Sequence, residues 1–425
     1  MPYLVCGLGQ AGGKIVDEMF AHPAWRRLAT PFAINSTAKD LSLLHNIPRP
    51  SWVGVSEDKG LIEGSATNFE GQVVGGFGKD PEQAAAIMAK NHEKVVDFFT
   101  NYAWKQAGSQ PGPPTSTPAT STGNWTEATP GQDPWTEVKE SIPFALLVVG
   151  LGGGTGCGIA GSIARAIRES SSVNTTVIAV GILPATFDAA QAKTGTGRQA
   201  WNALFALESI EPHVDGIILV DNECLAHTGN PETHFHEYNR FVANALVELF
   251  SAHLLDEIDL SKVEGAALPV VDIQDVKSAL ALPAGKAKRR PGYASLGWGA
   301  TMTQGALAFT FASRRHLVDL DELMATSLHK QTLVGLDLSK ASKSLGLLRL
   351  PLPMTRTAAQ FPNTATVEAR LASYSQMDEV HFGITVTRKA VASLTTLLTF
   401  EKKDVQRLES LGALAAAYAK RKASP

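Results

Sequence analysis

The chain has 425 residues, of which 44% are hydrophobic and 19% charged, and its formal net charge at pH 7 is -3. This composition is typical of a soluble globular protein too long for one hydrophobic core, so we expect two or three domains. The charge balance gives no overall basic field, and we expect no nucleic-acid partner.

Cysteine content and hydropathy indicate the compartment. Cys6, Cys157 and Cys224 are too few and too far apart for a disulfide framework or a zinc site, and we expect no metal held by the protein's own side chains. The start lacks the pattern of a signal peptide, and no apolar run approaches the ~20 residues that cross a bilayer. We predict a cytoplasmic protein, for which any link to the inner face of the cell envelope would be indirect.

The first half alternates strand-like and helix-like segments, which predicts an α/β fold with a mainly parallel sheet. The predicted strands are Tyr3–Cys6, Pro31–Ile34, Phe144–Val149, Thr175–Ile182 and Gly216–Val220. The predicted helices are Gly13–Phe20, Glu82–Tyr102 and Ile159–Glu169.

Two features divide the chain into domains. Residues from about 106 to 137 are rich in Ser, Thr, Pro, Gly and Gln, which favours a surface insertion over the alternative of a domain linker. A long amphipathic helix is predicted over 231–258. We therefore predict an α/β domain over 1–230, a central helix over 231–258 and a smaller α/β domain over 259–425.

The last domain is predicted to mix strands and helices. Its expected strands are Leu268–Asp272, Gly292–Gly299, Leu307–Ala312, Gly346–Leu352 and His381–Thr387. A terminal helix is expected over Lys402–Ala423.

Two glycine-rich segments each follow a predicted strand and open a helix, an arrangement that directs backbone N–H groups at a phosphate. They are Gly7-Leu8-Gly9-Gln10-Ala11-Gly12-Gly13-Lys14 and Gly150-Leu151-Gly152-Gly153-Gly154-Thr155-Gly156-Cys157-Gly158. The first fits the dinucleotide fingerprint but lacks the acidic residue about 20 positions later, and it is no Walker motif. An NAD-binding Rossmann enzyme remains an alternative on that loop alone.

The second segment resembles the signature of the tubulin/FtsZ superfamily, Gly-Gly-Gly-Thr-Gly-[Ser/Thr]-Gly, with Cys157 in the hydroxyl position. Other segments follow in the order of the archaeal CetZ branch, among them Ala33–Leu41, Gly75–Glu82 and Gly181–Ala185. The resemblance implies a two-domain fold with a Rossmann-like GTPase domain, a long central helix and a smaller α/β domain.

The resemblance also implies a site for GTP or GDP, with Mg²⁺ held mainly by phosphates and water. Phe235 would stack on guanine, and Asn239, one helical turn later, would pair with its edge. The nucleotide-binding residues implied are Gly9, Gln10, Ala11, Gly12, Asn35, Gly75, Gly76, Phe77, Gly78, Gly152, Gly153, Gly154, Thr155, Gly156, Pro184, Asp188, Asn202, Phe235 and Asn239.

The segment Val270–Lys277 resembles the family's catalytic loop, which implies that Asp272 and Asp275 are the catalytic acids. In the family this loop acts on GTP bound by the next subunit, so assembly completes the active site. The local sequence fits an alternative equally well, in which the two acids only cap the following helix.

The function implied is a GTP-binding cytoskeletal protein that polymerises head to tail and hydrolyses GTP at the subunit interface, for cell shape or envelope organisation. Its partners would be copies of itself and membrane adaptor proteins. The alternative from another class is a GTP-binding regulator or scaffold of the same fold that polymerises or hydrolyses poorly.

Overall fold

The computed structural model describes residues 3–23, 25–108, 143–171, 174–186, 195–226, 231–255, 269–284, 288–302, 318–355, 363–377 and 379–423. Gln106 to Gly108 of the expected insertion close a helix, and the rest of that insertion lies outside these ranges. Among the described helices, none combines the length and the apolar character needed to cross a membrane.

The first half contains seven strands and nine α-helices among its described residues. The strands are β1 (Tyr3–Leu8), β2 (Ala29–Asn35), β3 (Trp52–Ser56), β4 (Gly60–Glu63), β5 (Phe144–Gly150), β6 (Thr176–Leu183) and β7 (Gly216–Asp221). The helices are α1 (Gly9–Met19), α2 (Trp25–Leu28), α3 (Ala38–Ser42), α4 (Phe69–Gln72), α5 (Pro81–Lys90), α6 (His92–Phe98), α7 (Trp104–Gly108), α8 (Thr155–Ser170) and α9 (Gly195–Ile210).

The five strands predicted here are confirmed, and β3 and β4 were not predicted. The helix expected over Glu82–Tyr102 is divided at Asn91 and continues through a π-helical turn, Phe99–Ala103. Asn91 is buried, and its side-chain amide donates to the carbonyls of Glu57 (2.9 Å) and Ile87 (3.0 Å), which fixes the break.

The second half begins with the long helix α10 (Pro231–Leu255). The remaining elements are α11 (Ile273–Leu280), β8 (Ala281–Pro283), β9 (Arg289–Pro291), β10 (Tyr293–Met302), α12 (Leu320–His329), β11 (Lys343–Pro351), α13 (Ala365–Ala372), β12 (Val380–Thr387), β13 (Val391–Phe400) and α14 (Gln406–Ala423).

The strand expected at Leu268–Asp272 is wrong for its described residues, 269–272. Val270 is exposed, and Asp272 is the N-cap of α11, so the apolar run that suggested a strand leads into a helix. The expected strand at Leu307–Ala312 and the last residues of the central helix, 256–258, lie outside the described residues.

Eleven strands form one sheet in the order β12-β11-β13-β10-β7-β6-β5-β1-β2-β3-β4. The strands β7, β6, β5, β1 and β2 are mutually parallel, and β1 and β2 are buried along their whole length, as expected for a sheet covered on both faces. β10 joins the two halves by pairing with β7 over Tyr293–Ser295.

Because these strands are parallel, their ends define two opposite edges. We call the edge formed by the last residues of β1, β2, β5, β6 and β7 the carboxyl edge, and the edge where the same strands begin the amino edge.

Candidate functional site

The two glycine-rich loops meet at the carboxyl edge. α1 starts immediately after β1, with Gly9 at φ +71°, a backbone conformation that favours glycine. A Cβ on Gly12 would lie 2.1 Å from the carbonyl oxygen of Val148, so only glycine lets α1 approach β5 this closely. The sequence thus brings the starts of α1 and α8 side by side.

Both helix starts present backbone N–H groups without intrahelical partners, together with the positive end of the helix dipole. Neither first turn carries an acidic side chain. Gln10 and Gly153 are exposed at this edge. The arrangement is suited to binding the phosphates of a nucleotide.

A third loop, Gly75–Gly78, lies beside the N-terminus of α8. Gly75, Gly76 and Gly78 are exposed and have φ of +88°, +123° and +53°. Phe77 differs from them, because its side chain is buried in the core and anchors the loop. A cleft of about 370 Å³, lined by Thr37, Asp40 and Gly75 among others, opens next to this loop.

Asn202 on α9 supports the second and third loops through hydrogen bonds to their backbone. Its side chain is fully buried, and its Nδ2 donates to the carbonyls of Lys79 (3.0 Å) and Gly153 (3.2 Å). It thereby connects the third loop to the second. The predicted direct contact of Asn202 with a nucleotide stays a prediction.

The end of β2 carries the predicted residue Asn35 and is followed by polar residues that the sequence interpretation did not single out, Ser36, Thr37 and Asp40. The hydroxyls of Ser36 and Thr155 lie 2.6 Å apart, which joins the end of β2 to the first residue of α8. Buried Asn35 and the Thr37 hydroxyl both donate to one carboxylate oxygen of Asp40, at 3.2 and 2.7 Å. The signal for this cluster was the Asn-Ser-Thr run directly after a predicted strand.

The segment after β6 forms the next wall of the site. Pro184 is buried, and a Cβ on Gly152 would be in contact with it at 3.3 Å. Arg407 of α14, which was not predicted, donates to the Pro184 carbonyl at 2.7 Å. Asp188, one of the nucleotide-binding residues that the resemblance implies, lies outside the described residues.

Buried Asp221, the last residue of β7, forms an ion pair with Arg407, with Nε and Oδ2 2.8 Å apart. Burial nevertheless outweighs the arginine and raises the pKa of Asp221 to about 6. The ion pair therefore links the carboxyl edge to the start of α14.

Helix α10 carries the predicted base-binding pair. Phe235 and Asn239 are both half-buried. The hydroxyl of Tyr238 donates to the carbonyl of Asp221 at 3.1 Å, which brings this turn of α10 to the carboxyl edge. Phe235 and Asn239 lie on either side of Tyr238 in the sequence, so this turn of α10 carries both of them near the carboxyl edge.

Asp272 and Asp275 lie elsewhere, at the N-terminus of α11. Further along this helix, Lys277 pairs with Asp215 at 3.3 Å, immediately before β7 begins. Burial, followed by the charge of Asp272, raises the pKa of Tyr3, the first residue of β1. The Lys277–Asp215 ion pair places α11 at the amino edge, and the effect of the Asp272 charge on Tyr3 agrees with this position.

The acids are therefore separated from the glycine loops by the length of a strand. β1 has six residues, which at ~3.3 Å per residue amounts to roughly 20 Å. Asp272 is exposed, and Nδ1 of His381 lies 3.4 Å from Oδ1 of Asp275. The structure does not bring the predicted acids and the predicted phosphate loops together within one chain.

Cys157 occupies the hydroxyl position of the glycine signature. It is fully buried, its Sγ lies 3.5 Å from the carbonyl oxygen of Gly150, and burial raises the pKa of the thiol well above its usual range. This cysteine packs as a small apolar residue and has no reactive thiolate.

Comparison with known proteins relates this architecture to one superfamily. The family described as "Tubulin/FtsZ family, GTPase domain" matches residues 136–230. Tubulin-like protein CetZ3 of Haloferax volcanii is 28% identical over 260 residues, covering 59% of this chain and 51% of that protein. The chain thus aligns with about half the length of this curated relative.

Solved structures extend the likeness to nearly the whole chain. CetZ2 from Haloferax volcanii, a GTPγS-bound protofilament, has a TM-score of 0.65 at 19% identity and covers 99% of each chain. CetZ1 from the same organism, a GDP-bound monomer, has a TM-score of 0.65 at 21% identity and covers 98% of this chain and 99% of that one. The predicted fold class and the predicted resemblance are confirmed.

Proposed function

From a chain with the tubulin/FtsZ fold, related to CetZ proteins, we propose a GTP-binding protein that polymerises head to tail and hydrolyses GTP at the subunit interface. The observation that carries the proposal is the placement of the phosphate loops and the acids at opposite edges of one sheet. In a head-to-tail polymer, the amino edge of one subunit faces the carboxyl edge of the next. The acids and the nucleotide then meet.

The carboxyl edge fits a nucleoside triphosphate. The N-termini of α1 and α8 would bind phosphate oxygens through backbone N–H groups, and the exposed glycines of Gly75–Gly78 would approach the terminal phosphate without a side chain in the way. Phe235 and Asn239 would stack on and pair with guanine.

A magnesium ion would be held mainly by the phosphates and water. Among the described residues, no group of three or more His, Cys, Asp or Glu side chains could hold a metal ion. The carboxylate of Asp40, which lines the cleft next to Gly75, would accept hydrogen bonds from water in the ion's hydration shell. When bound, the ion would spread the negative charge that develops during phosphoryl transfer.

Asp272 and Asp275 would orient and deprotonate the attacking water on the neighbouring subunit's terminal phosphate. Asp272 is exposed and presents its carboxylate to solvent. One of its oxygens already accepts two backbone N–H groups, from Gln274 (2.7 Å) and Asp275 (3.0 Å), which fixes its orientation. Capping and catalysis are therefore compatible.

The surface around the acids supports assembly. Val270, two residues before Asp272, is 45% exposed, and Met377, next to the start of β12, is 40% exposed. Exposed apolar side chains at this edge would gain from being covered by a second copy of the chain. We extend the proposal to a role in cell shape or envelope organisation, with adaptor proteins supplying the membrane link.

Sedimentation combined with phosphate release tests the proposal. We expect the protein to pellet with GTP, to pellet less with GDP, and to release phosphate at a rate per subunit that rises with protein concentration. A protein that stays in the supernatant with every nucleotide, or that hydrolyses GTP at a concentration-independent rate per subunit, would contradict it.

A further inference from the structure

The first turn of the C-terminal helix α14 reaches the nucleotide-binding half of the molecule. Arg407 is the second residue of α14, and its side chain is only 5% exposed. Its guanidinium donates to the carbonyl of Pro184 (2.7 Å) and to the hydroxyl of Thr186 (3.1 Å). Both acceptors belong to the segment that leaves β6.

The same guanidinium holds two carboxylates. Nε of Arg407 lies 2.8 Å from Oδ2 of Asp221, and Nη2 lies 3.3 Å from Oε2 of Glu223. Glu223 in turn accepts hydrogen bonds from the backbone N–H and the hydroxyl of Thr186. Arg407 and Glu223 therefore hold the segment 184–186 from two sides.

This network adjoins the other parts of the site. The carbonyl of Asp221 accepts from Tyr238 of α10, next to Asn239, and Pro184 lies beside the second glycine loop, where a Cβ on Gly152 would be 3.3 Å from it. A planar guanidinium with several fixed donors is suited to holding a loop and two acids in one geometry.

We propose that Arg407 is a positioning residue, which holds the segment 184–186 in the conformation that receives the ribose of a bound guanine nucleotide. This inference rests on the proposed function and names the residue through which the C-terminal helix supports nucleotide binding. Arg407 itself contacts the protein and acts through the segment it holds.

The mechanism follows from the cost of ordering a loop. Without Arg407, the segment 184–186 would sample several conformations, and a ligand would bind only the fraction of molecules with the correct one. Contacts to the ribose hydroxyls would be lost first, because the network around this segment adjoins both the second glycine loop and the turn of α10 that carries Asn239, and the ribose joins the phosphates to the base. Contacts to the phosphates come from helix N-termini and would persist.

The test compares Arg407→Met, Arg407→Lys and wild type, as full chains, for the affinity of GTP and of 2′,3′-dideoxyGTP. We expect Arg407→Met to weaken GTP binding by about 5- to 50-fold. The ratio of the GTP affinity to the 2′,3′-dideoxyGTP affinity should fall toward one. Arg407→Lys should restore part of the GTP affinity and part of this ratio. Arg421→Met, on an exposed residue of the same helix, is the matched control and should behave as wild type.

Amide hydrogen exchange of Thr186 without nucleotide provides an independent readout. We expect faster exchange in Arg407→Met, because Arg407 would no longer hold the Glu223 carboxylate that accepts the hydrogen bond from the Thr186 N–H. A folded Arg407→Met protein with wild-type exchange, GTP affinity within twofold and unchanged discrimination would overturn the inference.

Two further outcomes are distinguishable. Where Arg407→Met does not fold, Glu223→Gln, on a side chain that is 21% exposed, should show the same loss of discrimination, and its absence would overturn the inference. Where wild type binds no GTP, the proposed function fails, and with it the ribose role. The exchange rates would then still show whether Arg407 holds the segment.

Discussion

Asp272 and Asp275 bind each other's backbone: the carboxylate of Asp275 accepts from the N–H of Asp272 at 3.0 Å, and the carboxylate of Asp272 accepts from the N–H of Asp275 at 3.0 Å. This reciprocal capping box starts α11 at the amino edge of the sheet. An alanine at either position would therefore mix two effects, the loss of a helix cap and the loss of a catalytic acid.

Asp272→Asn separates these effects, because asparagine caps helices about as well as aspartate but cannot act as a base. We expect the free energy of unfolding to change by less than about 1 kcal/mol and the rate of GTP hydrolysis in filaments to fall about 100-fold or more. Phosphate release and chemical denaturation measure the two. Asp319→Asn, at the N-cap of α12, is the matched control, and a parental rate in Asp272→Asn would refute the catalytic role.

Asn202→Ala should lower both stability and nucleotide affinity. It leaves the carbonyls of Lys79 and Gly153 without their buried donor, which costs roughly 1–3 kcal/mol in unfolding free energy. Asn91→Ala removes a similarly buried amide far from the loops and should reduce stability alone. Equal GTP affinities in the two variants would show that Asn202 does not organise the phosphate loops.

Phe235→Ala should weaken guanine binding by roughly 1–3 kcal/mol, the usual contribution of an aromatic ring stacked on a base. Isothermal titration with GTP measures this directly. His236→Ala, on the exposed neighbour in α10, should leave the affinity unchanged. If Phe235→Ala matched wild type, the base would have to lie elsewhere.

The stability of the protein should depend on pH through Asp221, whose pKa burial raises from 3.8 to about 6. Between about pH 4 and 6 the folded protein keeps a proton that the unfolded chain has released. The contribution of this group is therefore complete below about pH 4 and is lost as the pH rises through 6. Asparagine does not titrate in this pH range, so the stability of Asp221→Asn lacks this pH-dependent contribution.

Urea denaturation of wild type and Asp221→Asn from pH 4 to 7 measures this dependence. We expect wild type to lose stability relative to the variant as the pH rises, on the order of 2–3 kcal/mol in all. A stability difference that stays constant over this range would show that Asp221 has the same pKa in the folded and unfolded protein.

The positions of the two glycine-rich loops could be predicted from sequence because their signal is local. A glycine-rich run between a predicted strand and a predicted helix identifies each loop without information from the rest of the chain. In the structure, Gly9 and Gly12 allow the close approach of α1 to α8 and β5. The parallel order of the strands then places both loops at one edge without further information.

Contacts between distant segments could not be predicted in this way. Arg407 is 223 positions from Pro184 and 184 from Glu223, and nothing in its local sequence distinguishes it from the other basic residues of a terminal helix. The strand expected at Leu268–Asp272 failed for a related reason: Val270 and Val271 suggest a strand, but only the fold shows that Val270 is exposed and that Asp272 starts a helix.

Hydrolysis in trans is the central claim, and mixing two defective variants tests it most directly. Asp272→Asn would bind GTP but lack one of the two catalytic acids, while the double variant Phe235→Ala/Asn239→Ala would keep both acids but bind GTP poorly. We predict that the mixture co-sediments and releases phosphate several times faster than the sum of the two proteins assayed separately, because intact acids then face bound GTP across an interface. A co-sedimenting mixture whose rate equals that sum would contradict the claim.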